Sequence, residues 1–495
     1  MVVRVYDLAI IGGGLSGAAI ARDAAGRGLN VFLCDEADLG GGASSASTKL
    51  IHGAIGLLDG LRLGAMREAV VEREIAMRAA PHLLRPLRFV IPHHERQWSR
   101  AAFGVGLFAF DHIARSSLPP SRRLALDTEG THSSLLPDFE VGFAYSDCVA
   151  DDSRLVILNA LDAREHGAGI FPRHRCNVAE REGGRWRLSL ESAVTGEQAV
   201  VHATVLINAG GAAVADVHNH VVHSSRPLHA RFRKSACIVV KRETLDAVGY
   251  ALPNADGRIV FAFPWHSGTM LIGAVERKVD SSELASGVDR RDTAYLCDVA
   301  RQYFDTSVWP DDIVWSFAGV SAEPEERSDF VVVDAPPRSA PLISVLGGTL
   351  TGHRKLAEQV VGMLAVGQRI PPPWTARAVL PGGGFPPRGG GDLGRALRAA
   401  YPFLSDGHAT RLVRAYGTRA SMVLTGARSA ADLGIDFGGD LTEAEVRYLR
   451  TEEWAATADD VLWRRSKLGL VLTLPETMTL ADWMEAQPLM LPQPL

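Results

Sequence analysis

The chain has 495 residues, 46% of them hydrophobic and 22% charged, with a formal net charge of −5. That length accommodates two or three domains around a large core; the mild acidity excludes a basic nucleic-acid surface, and no apolar run reaches the roughly eighteen residues of a membrane span. Five cysteines scattered without a C-x-x-C pair exclude a zinc or disulfide framework and fit a reducing cytoplasm.

Tyr6-Asp7-Leu8-Ala9-Ile10-Ile11 is an apolar, buried-strand run within a few residues of the start, and no signal peptide is expected before it. Gly12-Gly13-Gly14-Leu15-Ser16-Gly17 follows at once. A helix pattern runs from Ala18 to about Gly28, and a second apolar run, Leu29 to Cys34, ends in Asp35-Glu36. This is the strand–turn–helix–strand unit of a dinucleotide site, with an acid about 20 residues past the glycines. Gly12 permits the tight turn, Gly14 lets backbone approach a pyrophosphate, and Gly17 lets helix and strand pack closely. Leu15 and Ser16 open the helix whose free N–H groups attract the phosphates. Asp35 is the better acceptor for the ribose hydroxyls, with Glu36 the alternate.

Residues 44–53 read Ser-Ser-Ala-Ser-Thr-Lys-Leu-Ile-His-Gly. A run of small hydroxyl residues suits a segment lying along a diphosphate and a flavin, which points to FAD rather than NAD. Ser45, Ser47 and Thr48 donate hydrogen bonds without bulk. Lys49 counters phosphate charge, and Leu50, His52 and Gly53 continue the segment. Ala101 to Phe110 is a short apolar patch. It leaves peripheral membrane contact open, but its polar face lacks the Lys/Arg excess of an interfacial helix.

Ser153 to Glu165 reads as a helix, and Ile170 to Val178 as a strand that places Val178 over the adenine. Val205 to Ala212 is a strand ending in small residues, so Ala209 and Gly210 form a second close approach to the cofactor. Apolar and polar residues alternate at Cys237–Val240, Ile259–Phe263 and Met270–Ile272, as in antiparallel strands laid over a ring. Gly347-Gly348-Thr349-Leu350-Thr351-Gly352-His353 then leads into a helix from about Leu350. Its amides would stabilise negative charge at the N1 and C2=O edge of a flavin. Pro371-Pro372-Pro373 and the glycine-rich 381–391 mark a linker, and 392–485 is helical in pattern.

Several of these stretches are specific. Ala43 to Gly53, Tyr145-Ser146-Asp147-Cys148-Val149-Ala150-Asp151-Asp152-Ser153-Arg154-Leu155, Leu346-Gly347-Gly348 with Arg354-Lys355-Leu356-Ala357-Glu358, Leu441 to Glu445 and Thr457 to Arg465 all resemble the FAD-dependent glycerol-3-phosphate dehydrogenases. These belong to the wider group built like D-amino-acid oxidase. The resemblance spans nearly the whole chain. It implies an α/β fold: an FAD-binding Rossmann-like domain interleaved with an antiparallel-sheet substrate domain, plus a C-terminal helical domain. The expected boundaries are 1–75, 145–215 and 330–366 for the FAD domain, 76–144 and 216–329 for the substrate domain, 367–391 for the linker and 392–495 for the helical domain.

The departures bear on the substrate. The family reads His-Gly-Gly-Leu-Arg-Tyr-Leu where this chain has His52-Gly53-Ala54-Ile55-Gly56-Leu57-Leu58. Gly-Val-Arg-Pro becomes Gly319-Val320-Ser321-Ala322, and Gly-Gly-Lys-Leu-Thr becomes Gly347-Gly348-Thr349-Leu350-Thr351. Lys-Gly-Ser-His becomes Lys234-Ser235-Ala236-Cys237, and Thr-Thr-Asp becomes Ala274-Val275-Glu276. Arg327 sits one position off a family arginine and could partly rescue a phosphate site. Each charge-assisted hydrogen bond to a phosphate is worth about 1.5–3 kcal/mol, so the combined losses cost many powers of ten in affinity. The pocket expected from Ala54, Gly56, Ser321, Arg327 and Thr349 is smaller in side chain and less charged.

The resulting expectation is a non-covalent FAD enzyme that oxidises a C–OH or C–N centre by hydride transfer to flavin N5. Its substrate is expected to be a bulkier, non-phosphorylated molecule in a biosynthetic pathway. The alternatives are a true glycerol-3-phosphate dehydrogenase and a flavin-binding protein without turnover. The candidate proton acceptors are His353, His52, His266 and Glu276. No metal and no nucleic acid is expected. The electron acceptor is oxygen or quinone. The protein is expected to be a cytoplasmic homodimer, with peripheral contact on the inner face of the membrane left open.

Overall fold

The computed structural model describes residues 5–51, 63–93, 100–126, 134–241, 247–266, 268–284, 287–324, 331–364, 370–488 and 492, and the side chains of 100–103 are excluded. One sheet is built on β1 (Val5–Ile11) and β2 (Val31–Cys34), with β7 (Gly169–Phe171), β8 (His174–Glu182), β9 (Arg185–Ser192), β10 (Gln198–Asn208), β16 (Val331–Asp334) and β17 (Leu342–Val345). Its main path runs β16-β17-β10-β1-β2-β7, and the β8–β9 hairpin joins through β10. The central pairs are parallel. Leu8, Ala9 and Ile10 are therefore covered on both faces, which is why β1 reads as an unbroken apolar run. Ile11 stands in register with both Cys34 and Asn208. The carboxyl ends of β1, β2 and β10 thus meet at one edge, where open α/β sheets bind ligands. The helix Leu15–Gly26 leaves that edge and packs against the helices Asp152–Glu165 and His353–Leu364.

The second sheet comprises β3 (Leu50–Ile51), β4 (Leu84–His93), β5 (Arg122–Ala125), β6 (Val141–Ala150), β11 (Ala230–Lys241), β12 (Gly249–Pro253), β13 (Ile259–Pro264), β14 (Thr269–Val279) and β15 (Ile313–Pro324). Its order is β15-β11-β14-β13-β12-β4-β6-β3, with β5 on β6. Alternation along β11 divides its side chains between two cores. Ala236, Ile238 and Val240 pack with the helix Arg290–Tyr303, while Cys237 and Val239 pack with Ala46 and Leu50 of the serine-rich segment. The second face looks toward the first sheet.

The expected strand Ile170–Val178 is two strands. Pro172 has no amide to donate, and Arg173 takes φ +58°, so the chain turns between β7 and β8. Further along the chain, the helices Gly390–Ala400, Asp406–Tyr416, Glu443–Glu452 and Leu474–Glu485 enclose a separate apolar core around Leu412, Val446 and Leu449. Among the described residues, no helix is long and apolar enough to cross a membrane. The apolar patch lies in the helix Arg100–His112, where Leu107 and Phe110 are buried and Val105 and Phe108 are exposed.

Candidate active site and cofactor cavity

The glycine loop forms a cradle with no room for side chains. Gly12 has φ +112°, and a Cβ there would lie 2.3 Å from the Ala209 carbonyl oxygen. A Cβ on Gly17 would lie 1.9 Å from the Gly12 carbonyl oxygen. Gly14 is the N-cap of the helix that follows, so no side chain of its own fills the first turn. Ser44 closes on that turn, its Oγ accepting from the Leu15 amide at 2.9 Å. The carboxyl ends of β1, β2 and β10 open into a cavity of about 880 Å³, lined by Gly12, Gly14, Asp35, Ser45, Ala209 and Gly210 among others.

Asp35 lines this cavity and also braces it. Its carboxylate accepts from the Gly13 amide at 2.6 Å and from the Ala37 amide at 2.8 Å. Burial pushes its pKa up to about 6, against the pull of those two amides. Glu36, the alternate, also lines the cavity, but its carboxylate is exposed and pairs with Arg175 at 2.8 Å. Val178 does not line the cavity. A bulge between Cys176 and Val178 shifts the register, and Cys176 and Asn177 stand at the wall instead.

Lys49 corrects a second expectation. Its ammonium is fully buried, 2.7 Å from Asp152 and 2.5 Å from the Ser45 carbonyl oxygen, so its charge is neutralised within the protein. Asp152 also accepts from the amide and hydroxyl of Ser47, at 3.1 and 2.7 Å. The hydroxyl segment is therefore held in shape by one carboxylate at the start of a helix. Ser45 lines the cavity, whereas Ser47 and Lys49 hold the segment from behind, Leu50 is core, and Thr48 is half-buried. His52, Gly53, Ala54, Gly56 and Arg327 lie outside the described residues.

The Gly347-Gly348 turn stands beside the cradle. Gly348 has φ +112°, and a Cβ there would meet the Ser16 hydroxyl at 3.0 Å. Thr349 Oγ1 accepts from the Gly352 amide at 2.9 Å and shapes the start of the helix His353–Leu364. Leu350 and Thr351 are half-buried in that turn. His353 turns onto the start of its own helix. It is buried, its Nδ1 sits 2.8 Å from the Leu350 carbonyl oxygen, and burial beside Arg22 and Arg354 lowers its pKa to about 4. His266 lies at the β13–β14 turn among Asp151, Lys467, Arg85 and Arg414, with its pKa also lowered to about 4, chiefly by burial. Neither histidine lines the cavity.

Residues 7–353 match the family model described as FAD dependent oxidoreductase. The chain belongs to that family. Residues 374–485 match the model described as C-terminal domain of alpha-glycerophosphate oxidase. The flavoenzyme is 40% identical to a glycerol-3-phosphate dehydrogenase of Pseudomonas aeruginosa, over 98% of this chain and 96% of the relative. It is 37% identical to a D-erythritol 1-phosphate dehydrogenase of Brucella abortus, over 97% of each. The crystal structure of a Bacillus halodurans glycerol-3-phosphate dehydrogenase complexed with FAD superposes with a TM-score of 0.76 and 25% identity, covering 97% of this chain and 90% of that one. FAD is the cofactor of this flavoenzyme, and the glycine cradle, the Asp35 carboxylate and the long cavity fit it. Its relatives are dehydrogenases and oxidases, and the chain is an oxidoreductase with a small-molecule substrate and a flavin-linked electron acceptor.

The flavoenzyme's second sheet carries a polar cluster on β11, β14 and β15, none of whose charged side chains lines the cavity. A Cβ on Gly319 would lie 2.9 Å from Ala43 Cα, so β15 touches the cofactor segment there. Phe317 and Gly319 line the cavity, and alternation puts Ser321 and Glu323 on the same face. Arg233 on β11 stands opposite Ser321. Its guanidinium forks onto Glu323 at 2.5 and 3.0 Å and lies 3.8 Å from Glu276. The Glu323 carboxylate, through its hydrogen bond, raises the Arg233 pKa. Lys234 points the other way, fully buried 2.8 Å from Asp292. Of the four candidate proton acceptors, Glu276 is the one that the described residues place on this face. Sequence reading missed Arg233 and Glu323, because they meet across strands separated by 90 residues. It also missed Asp152, for which the Asp-Asp-Ser helix start was an available signal.

Proposed function

We propose that this flavoenzyme oxidises a C–OH centre of a bulkier, non-phosphorylated substrate, in a biosynthetic setting. A C–N centre is the closest variant of that reaction. The observation that carries the reading is the Arg233 fork onto Glu323, with Glu276 beside it, on the face where the family arginine is replaced by Ser321. Arg231 stands opposite Glu323 and Lys278 opposite Arg233 on the same face, but the two carboxylates close on Arg233 itself. A phosphate dianion bound at Arg233 would have to displace a carboxylate from it, and would meet the second carboxylate as well. A neutral hydroxyl-bearing substrate can accept from Arg233 and donate to Glu276 or Glu323 without that conflict.

FAD, when bound, supplies the hydride acceptor at N5. The chain's own part is positional and electrostatic. Glu276 takes the hydroxyl proton as the C–H bond is oxidised. The amides following Gly347-Gly348 stand at the start of a helix and favour negative charge near them. The boundaries expected for the interleaved domains follow from the same reading, with the substrate between the two sheets. The electron acceptor is oxygen or a quinone. Val105 and Phe108, 69% and 64% exposed on one helix, support a peripheral membrane contact through which a quinone would be reached.

A second reading is a phosphorylated polyol. It is favoured by the names of the curated relatives, a glycerol-3-phosphate dehydrogenase and a D-erythritol 1-phosphate dehydrogenase. Anaerobic mixing of the FAD-loaded enzyme with a panel of neutral alcohols, amines and polyol phosphates separates the two. Flavin bleaching by a neutral member and not by the phosphates supports the proposal. Bleaching by the phosphates alone supports the second reading.

A further inference from the structure

Two residues of the C-terminal domain, Trp463 and Arg464, line the same cavity as the glycine cradle. They sit in the helical turn Asp460–Arg465. Trp463 stacks on Trp315 of β15, with ring centroids 4.7 Å apart and planes at 21°. Arg464 reaches Asp38 at 2.5 Å and also pairs with Asp460. Arg465 forks onto the same Asp38 at 2.6 and 2.9 Å. Arg173, between β7 and β8, closes the cluster on Asp460 at 2.6 Å. Asp38 is three residues past Asp35, and the intervening Ala37 amide donates to Asp35. One short loop therefore faces the cofactor cavity through Asp35 and the C-terminal domain through Asp38.

The domain also reaches the hydroxyl segment from behind. Lys467 donates to Ser153 at 2.6 Å, and Arg154 forks onto Glu453, all beside the Asp152 that holds Ser47 and Lys49. We propose that the C-terminal domain is a wall of the cofactor site, with Trp463 and Arg464 as its cofactor-facing residues, so that FAD retention and docking of this domain are linked. Linkage is reciprocal. FAD bound in the cavity favours the docked domain, and the docked domain slows FAD release. The geometry requires this to the extent that bound FAD covers Trp463 and Arg464, because both side chains are brought to the cavity by the docked domain alone.

The test follows FAD release from the holoenzyme after dilution, by the rise in free-flavin fluorescence, in the wild type and in Arg464→Gln and Trp463→Leu. Both variants should release FAD about tenfold faster, the equivalent of one charged or aromatic contact. Arg447→Gln serves as the comparison, since Arg447 pairs with Glu443 on the surface of the domain at 2.6 Å and does not line the cavity. Its release rate should match the wild type. Limited proteolysis of residues 381–391 in the wild type, with FAD bound and after FAD removal, reads the other direction and needs no variant. Slower cleavage with FAD bound is expected. Wild-type release from both cavity variants, equal acceleration by Arg447→Gln, or cleavage indifferent to FAD would overturn the linkage.

Discussion

Lys49 and Asp152 form an ion pair of 2.7 Å in which neither side chain is exposed to solvent. The pair is what shapes the cofactor's hydroxyl segment, because the same carboxylate binds Ser47 twice. Removing one partner of a buried pair leaves an uncompensated charge and costs about 3–5 kcal/mol. Lys49→Met should therefore lower unfolding stability by an amount in that range and release FAD. Denaturant unfolding of the variant checks this, and a loss below about 1 kcal/mol would place the pair among ordinary surface bridges.

Gly12→Ala meets two obstacles at once, the Ala209 carbonyl oxygen at 2.3 Å and a φ of +112°. The cradle has to open to admit the methyl group. The purified variant should carry little or no flavin, read as the ratio of flavin to protein absorbance. A variant with full flavin content would mean that the loop is not the pyrophosphate cradle.

Buried histidines set the pH dependence of stability. His82, His266 and His353 are held neutral, with pKa values lowered from 6.5 to about 3, 4 and 4. The unfolded chain protonates them below about pH 6.5 while the folded chain does not, so stability rises with pH from about 4 to 6.5. Asp35, raised from 3.8 to about 6, acts in the opposite direction over about pH 4 to 6. Three groups outweigh one, and the urea midpoint should climb between about pH 4.5 and 7. His353→Gln should flatten that climb; an unchanged slope would contradict the burial of His353 as a neutral ring.

Arg233 can be freed without touching the flavin cradle. Glu323→Leu removes the carboxylate that forks onto it at 2.5 and 3.0 Å. Because the pair is about one third exposed, the lower end of a charge-assisted contact applies, about 1.5 kcal/mol or roughly tenfold in affinity. Inorganic phosphate or glycerol 3-phosphate should bind about tenfold more tightly to Glu323→Leu than to the wild type, by perturbation of the flavin spectrum. Equal binding would remove Glu323 from the specificity site.

What could be read in the chain divides by distance along it. The cradle was legible because Gly12, Gly14, Gly17 and Asp35 lie within one local strand–helix–strand unit with a fixed spacing. The interleaved sheets were legible from alternation and from family-like stretches. Charge pairing was not. Lys49 next to serines reads as a phosphate ligand until Asp152, 103 residues away, is placed against it. His353 reads as a ring-side base until the helix direction turns it onto the Leu350 carbonyl. Val178 failed through one bulge, which moves a side chain off its expected face without changing composition. The contribution of Trp463 and Arg464 to the cavity depends on the docking of a separate domain, and no local periodicity encodes that.

The most direct test of the substrate assignment is an anaerobic titration of the FAD-loaded enzyme with glycerol 3-phosphate, set beside neutral polyols and bulkier alcohols. The charge arrangement around Arg233 predicts that glycerol 3-phosphate leaves the flavin oxidised while a neutral alcohol bleaches it. Rapid and complete bleaching by glycerol 3-phosphate would contradict that prediction.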